Sequence, residues 1–346
     1  MSPLIWSIFI TSLATSTIIT MSSNHWLLAW LGLELNTLSI IPIIAKPHHP
    51  RATEAATKYF LIQATAATLI LCACTLNAWQ TGQWSIMNTS TPISTAMATA
   101  AIVLKLGLAP AHLWYPEVVQ GVTLTTALLI TTWQKIAPLA MLYMMQNHLH
   151  MPALLTIGLL STLVGGLGGL NQVQTRKLMA FSSIAHMGWL IVALAISPGL
   201  ATLTLLIYIT MTTTIFLSLT TTTSKTIADL GTTWPMSPTL MTTTMLCLLS
   251  LGGLPPLTGF MPKWLILKNL LYSPLPAFST LLLLSSLPSL FFYTRLAYFT
   301  TLTAPPTTTN SEHKWRFKNS MKPNIALTMT LALMLLPLTT TLTNIT

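Results

Sequence analysis

Acidic residues are almost missing from this 346-residue sequence: there are five Asp and Glu against 15 Lys and Arg, and charged residues make up only 6% of the chain. No water-soluble domain of this length could present so little charge to solvent, so the sparsity excludes that class and points to a polytopic membrane protein. Cysteine is scarce too. Cys72, Cys74 and Cys247 lie inside apolar runs without a C-x-x-C spacing, which excludes an iron–sulfur or zinc site and a disulfide framework. No dinucleotide fingerprint occurs. GGLGGL (165–170) lacks the preceding strand and the Lys-Ser/Thr of a phosphate loop, so Gly165-x-x-x-Gly169 reads as close helix packing. Histidines at matching depth on two helices, as a bis-histidine haem requires, are not supplied. The net charge of +10 forms no basic face, which sets nucleic acid aside as a partner. The opening MSPLIWSIFITSLATSTIITM has no charged n-region, and is expected to be a first membrane helix.

What is abundant is apolar sequence, 52% of the chain. Runs long enough to cross a bilayer predict an all-α fold of about eleven transmembrane helices. They fall at 3–21, 26–45, 55–79, 93–112, 122–145, 152–171, 177–196, 199–222, 239–272, 275–300 and 323–344. Two are interrupted, near 107–110 and at 252–262 in GGLPPLTGFMP. Broken helices at comparable places in two helix groups, 1–150 (break within 93–121) and 151–300 (break within 239–272), are the pattern of a repeated transporter fold. A basic loop, 301–322, and a C-terminal helix, 323–346, complete the expected organisation.

The basic residues sort by loop. All but Lys105, Lys135, Lys263 and Lys268 lie on alternate, even-numbered connections, so that side and the N-terminus are expected to face the compartment of synthesis, the C-terminus the other. The exceptions matter most. A lysine at helix centre costs about 2.5–3.5 kcal/mol on the insertion scale, and is kept where it is used or partnered. Lys105 ends an apolar helix just before Gly107 and Pro110; Lys263 follows the second break; Lys135 sits in TALLITTWQKIAPLAML with no carboxylate on a neighbouring turn. Glu34 is the only mid-helix acid and the natural opposite charge for Lys105, either as a helix-locking ion pair or as a switchable one. His112 adjoins Lys105 beyond Pro110. His186, one turn after Ser182, reads equally as a proton relay or a hydrogen-bonded core histidine.

NHWLLAWLGLELNTLSIIPI, TKYFLIQATAA, LKLGLAPAHLWYPEV, SSIAHMGW and LGGLPPLTGFMPKW resemble a known family along essentially the whole chain: chain 2 of vertebrate mitochondrial NADH–ubiquinone oxidoreductase, an antiporter-like membrane subunit of respiratory complex I. The resemblance implies proton translocation in the mitochondrial inner membrane, with Glu34, Lys105, Lys135 and Lys263 at the family's proton-handling positions and His112 and His186 on its hydrated axis. It implies no cofactor on this chain, with flavin, iron–sulfur clusters and ubiquinone bound by other subunits. The implied partners are membrane-arm and accessory subunits, and lipid, cardiolipin included. A stand-alone cation/proton antiporter and a structural scaffold are the rival readings.

Overall fold

The computed structural model describes residues 3–89, 91–233, 237–301 and 324–334. The basic loop expected at 302–322 and the end of the C-terminal helix, with the side on which Thr346 lies, fall outside the described residues. Packing divides the chain into two units, Met1–Ile157 and Gly158–Thr346, the division falling within one helix.

The first unit contains α1 (Pro3–Ser22), α2 (Trp26–Ala45), α3 (Pro50–Thr81), α4 (Pro92–Leu106), α5 (Trp114–Gly121), α6 (Leu124–Thr131), α7 (Trp133–Met144) and the start of α8 (Met151–Gly169). The second continues with α9 (Thr175–Ile196), α10 (Pro198–Thr222), α11 (Ile227–Thr232), α12 (Pro238–Gly252), α13 (Phe260–Tyr272), α14 (Pro276–Thr301) and α15 (Asn324–Met334). Seven of these helices are long and apolar enough to cross a membrane. Each of the eleven expected segments overlaps at least one of the fifteen α-helices found among the described residues. Proline at the first positions of α3, α4, α10 and α12 starts helices where its missing N–H costs nothing. The many threonines and serines donate to carbonyls of their own helix, as Thr204, Thr214 and Ser218 do in α10, so apolar surroundings tolerate them.

Each unit uses the same order of parts. In the first, the segments flanking the α2–α3 pair are joined by a bridge between His25 and Ser85; in the second, those flanking α9–α10 are joined between Gln174 and Thr226. A broken helix follows each. Gly107 (φ 69°) ends α4 and Gly253 (φ 83°) ends α12, both left-handed, a conformation glycine adopts without a Cβ penalty. From these glycines the sequences run in register: Gly107-Leu108 with Gly253-Leu254, Pro110 with Pro256, Trp114 with Phe260, Pro116 with Pro262, Glu117 with Lys263. The aromatic position starts the second half-helix in both copies, α5 and α13.

The glycine stripe of α8 packs as its spacing predicts. A Cβ on Gly165 would lie 2.6 Å from the Ala185 backbone nitrogen, and one on Gly188 would lie 2.7 Å from the Gly158 carbonyl, so α8 and α9 approach at backbone distance.

Candidate functional site

In the first unit, two lysines face one small cavity. Lys105 reaches it from the last turn of α4, where Gly107 stops the helix. It is buried and its Nζ has no hydrogen-bond partner. Lys135 reaches it from the first turn of α7, just past a third interruption that the sequence did not announce. The span expected as one helix over 122–145 is two, broken at Thr132 (φ −112°, ψ −70°). The Thr132 hydroxyl donates to the Leu128 carbonyl (2.7 Å), competing with the helix ladder. Pro138 withholds a donor from the Gln134 carbonyl one turn further on. Lys135 is almost fully buried, its Nζ 5.0 Å from the centroid of Tyr115 on α5.

Neutral polar groups tie the cavity walls together. Gln134 donates from Nε2 to Asn36 Oδ1 on α2 (3.1 Å) and accepts at Oε1 from the hydroxyl of Tyr59 on α3 (3.4 Å). Gln63 donates to the Lys105 carbonyl (3.3 Å). Sequence reasoning missed all four: an amide in an apolar run is a visible signal, but its partner is a long-range fact. Glu34 lies on the turn of α2 just before Asn36, half-buried, with Oε2 buried and without a hydrogen-bond partner. It makes no ion pair with Lys105 within 4.0 Å. The ion pairs among the described residues are instead those of Lys58, to Glu54 (2.6 Å) and to Glu117 (2.7 Å), both outside this cavity and part-exposed. His112 is not brought into the cavity either: half-exposed in the break, its Nδ1 lies 3.1 Å from the Pro110 carbonyl.

The second unit brings Lys263 and His186 to one small cavity. Lys263 lies in the first turn of α13 and donates to the carbonyl of Gly252 (2.9 Å), one of those left open at the C-terminus of α12. His186 Nε2 is 3.1 Å from the hydroxyl of the buried Tyr293 on α14, with Tyr208 on α10 beside the ring at 5.9 Å between centroids. Arg295, grouped by sequence with the last even-numbered connection, lies within α14 and donates to the carbonyls of Leu170 (2.7 Å) and Gln172, at the end of α8. No group of three or more His, Cys, Asp or Glu able to hold a metal ion occurs among the described residues.

Lysines beside broken helices in an all-helical chain agree with what comparison finds. Residues 23–290 match the family described as NADH:quinone oxidoreductase/Mrp antiporter, TM, and residues 290–343 match NADH dehydrogenase subunit 2 C-terminus. NADH-ubiquinone oxidoreductase chain 2 of Oncorhynchus mykiss is 53% identical, with 99% of each chain covered; that of Xenopus laevis is 52% identical, with 96% of each covered. The chain belongs to the NADH–ubiquinone oxidoreductase chain 2 family. This chain 2 family member is similar to a chain of respiratory complex I from Thermus thermophilus with bound Aureothin, at TM-score 0.85 and 26% identity over 97% of this chain and 78% of that one. It shares the fold of a chain of the membrane-bound sulfane sulfur reductase, an archaeal respiratory membrane complex (TM-score 0.85, 16% identity, 98% of this chain and 74% of that one). The chain 2 assignment makes it an antiporter-like, multi-pass membrane subunit that associates with other complex I subunits.

Proposed function

We propose that this chain translocates protons in the mitochondrial inner membrane, driven by electron transfer from NADH to ubiquinone on other subunits of complex I. The observation that carries the reading is the joint exposure of Lys105 and Lys135 to one internal cavity, each beside a helix interruption. A lysine amine holds or releases a proton according to the charges and water around it. A break frees backbone groups that only protein or water can satisfy at membrane depth. Lys105 and Lys135 are the stations of the first unit, with Glu34 as the charge that biases Lys105 through space. Lys263 is the station of the second unit, and His186, held by Tyr293, relays to it through their shared cavity. His112, in the first break, is the relay at the cavity's approach. The chain itself binds no flavin, iron–sulfur cluster or quinone.

Complex I carrying Lys135→Met, reconstituted in vesicles, should assemble and oxidise NADH at a reduced coupled rate with fewer protons moved per electron. Lys135→Arg should fail as well, because arginine does not release its proton in the accessible pH range. Wild-type proton stoichiometry in Lys135→Met would remove the residue from the mechanism. The N-terminus and the connections leading into Arg51 at the start of α3 and Arg176 at the start of α9 face the matrix. Single cysteines placed at these two connections should label only from the matrix side of mitoplasts, and labelling from opposite sides would overturn that orientation.

A further inference from the structure

A groove of about 490 Å3 runs between the first turns of α4 and the first turns of α8, within the first unit and apart from the lysine cavity. Its walls combine short side chains, Ala96 and Thr99 on α4 and Ala153 on α8, with the apolar Leu154 and Ile157 of α8. That space is of the size ligands fill. The walls alone would suit any apolar occupant; the mouth is more selective.

Both helices begin at the mouth, so two helix N-termini direct their open N–H groups and positive dipole ends there. The α4 terminus carries no side-chain cap. His148 and His150 line the same end, and no carboxylate does. The Nε2 of His148 lies 2.6 Å from the Met87 carbonyl, which can only accept, so Nε2 is the donor there and Nδ1 is left for another contact. The deciding group is Thr89. It lines the groove, it is 2% exposed, and its hydroxyl has no hydrogen-bond partner. A buried hydroxyl left unmet is costly, and among these donors it calls for an acceptor. An occupant with an apolar tail and an anionic oxygen-rich head satisfies walls and mouth together, at the depth where helices begin and headgroups sit.

We propose that the groove is a phospholipid site, with one acyl chain between α4 and α8 and the phosphate at Thr89 and the two helix starts. The test uses the assembled complex in membranes and two photoreactive probes with the same diazirine-bearing acyl chain: a phosphatidylcholine, and a diacylglycerol that lacks the phosphate. Phosphatidylcholine should label peptides spanning 92–99 and 151–157, and diacylglycerol should label them about tenfold less. Thr89→Val keeps the shape and removes only the hydroxyl, so assembly should persist while phosphatidylcholine labelling falls about tenfold, the lower end for a lost hydrogen bond to a charged group. Ala96→Phe should fill the groove and abolish labelling. Absence of labelling in the wild-type complex, equal labelling by the two probes, or undiminished labelling of Thr89→Val would overturn the proposal. The wild-type comparison decides the matter even if a variant does not assemble.

Discussion

Lys263 performs two tasks that one substitution series can separate. Its Nζ donates to the Gly252 carbonyl at 2.9 Å, which closes the end of α12, and it faces the cavity that His186 also lines. Lys263→Met removes a charge-assisted hydrogen bond worth about 1.5–3 kcal/mol and leaves that carbonyl without its donor. It also withdraws a cation from a helix C-terminus, worth about 0.3–1 kcal/mol. The second broken helix should therefore loosen, and the complex should inactivate at a lower temperature and pump less. Lys263→Arg is the informative variant. It keeps a permanent charge and several donors for the same carbonyl. Thermal stability should then return close to wild type, while proton transport per electron stays depressed, because the guanidinium holds its proton. The assay is proton uptake against NADH oxidised in vesicles, paired with thermal inactivation of the same preparations. Wild-type proton stoichiometry in Lys263→Arg would show that the lysine is a helix cap and nothing more.

Glu34→Gln and Lys105→Met should each uncouple the complex, since each removes one member of an opposite-charge pair whose Oε2 and Nζ are buried without a hydrogen-bond partner. Their combination should assemble at least as well as either single variant and remain uncoupled; recovery of pumping in the double variant would make the interaction a static clamp. Asp229, outside the membrane spans, caps α11: its carboxylate is held below the ordinary range chiefly by the Thr226 backbone N–H (2.8 Å), then by the Thr226 side chain. A depressed carboxylate contributes stability above its unfolded value of about 3.9 and loses it as pH falls. Amide-exchange protection at Lys225 and Thr226, corrected for intrinsic rates, should thus be flat from pH 8 to about 5 and decline below, and Asp229→Asn should lose it throughout. Retained protection in that variant would refute the cap.

Both glycine–proline breaks were legible in the sequence because they depend on local chemistry: Gly107 and Gly253 stand where a left-handed residue must. So was the close contact of α8, because small residues at helical spacing have few other uses. The interruption at Thr132 was not legible. Two adjacent threonines fill an ordinary helix as readily as they break one, and Pro138 stands six positions away from the break it helps to accommodate. Of the site, the lysines announced themselves by the cost of burying charge. Their surroundings did not: Gln134 meets Asn36 across 98 residues and His186 meets Tyr293 across 107, contacts that only folding makes. Glu34 and Lys105 stood out as opposite charges in apolar helices, and of the two arrangements open to them the direct ion pair is not the one found. Position along a helix gives depth, whereas azimuth and rotamer decide whether two side chains touch.

The repeated motif ends in opposite signs, Glu117 in the first copy and Lys263 in the second. At the level of the gene that difference is small, since glutamate and lysine codons are separated by a single purine transition. The first copy therefore stands one nucleotide change from the polarity of the second. What has grown up around each copy makes the change far from equivalent. Glu117 is met by the Lys58 amine at 2.7 Å, where a lysine would set two cations against each other, while Lys263 meets a helix-end carbonyl that a glutamate would repel. The two motifs share an outline; their neighbours make each copy's sign specific to its own place.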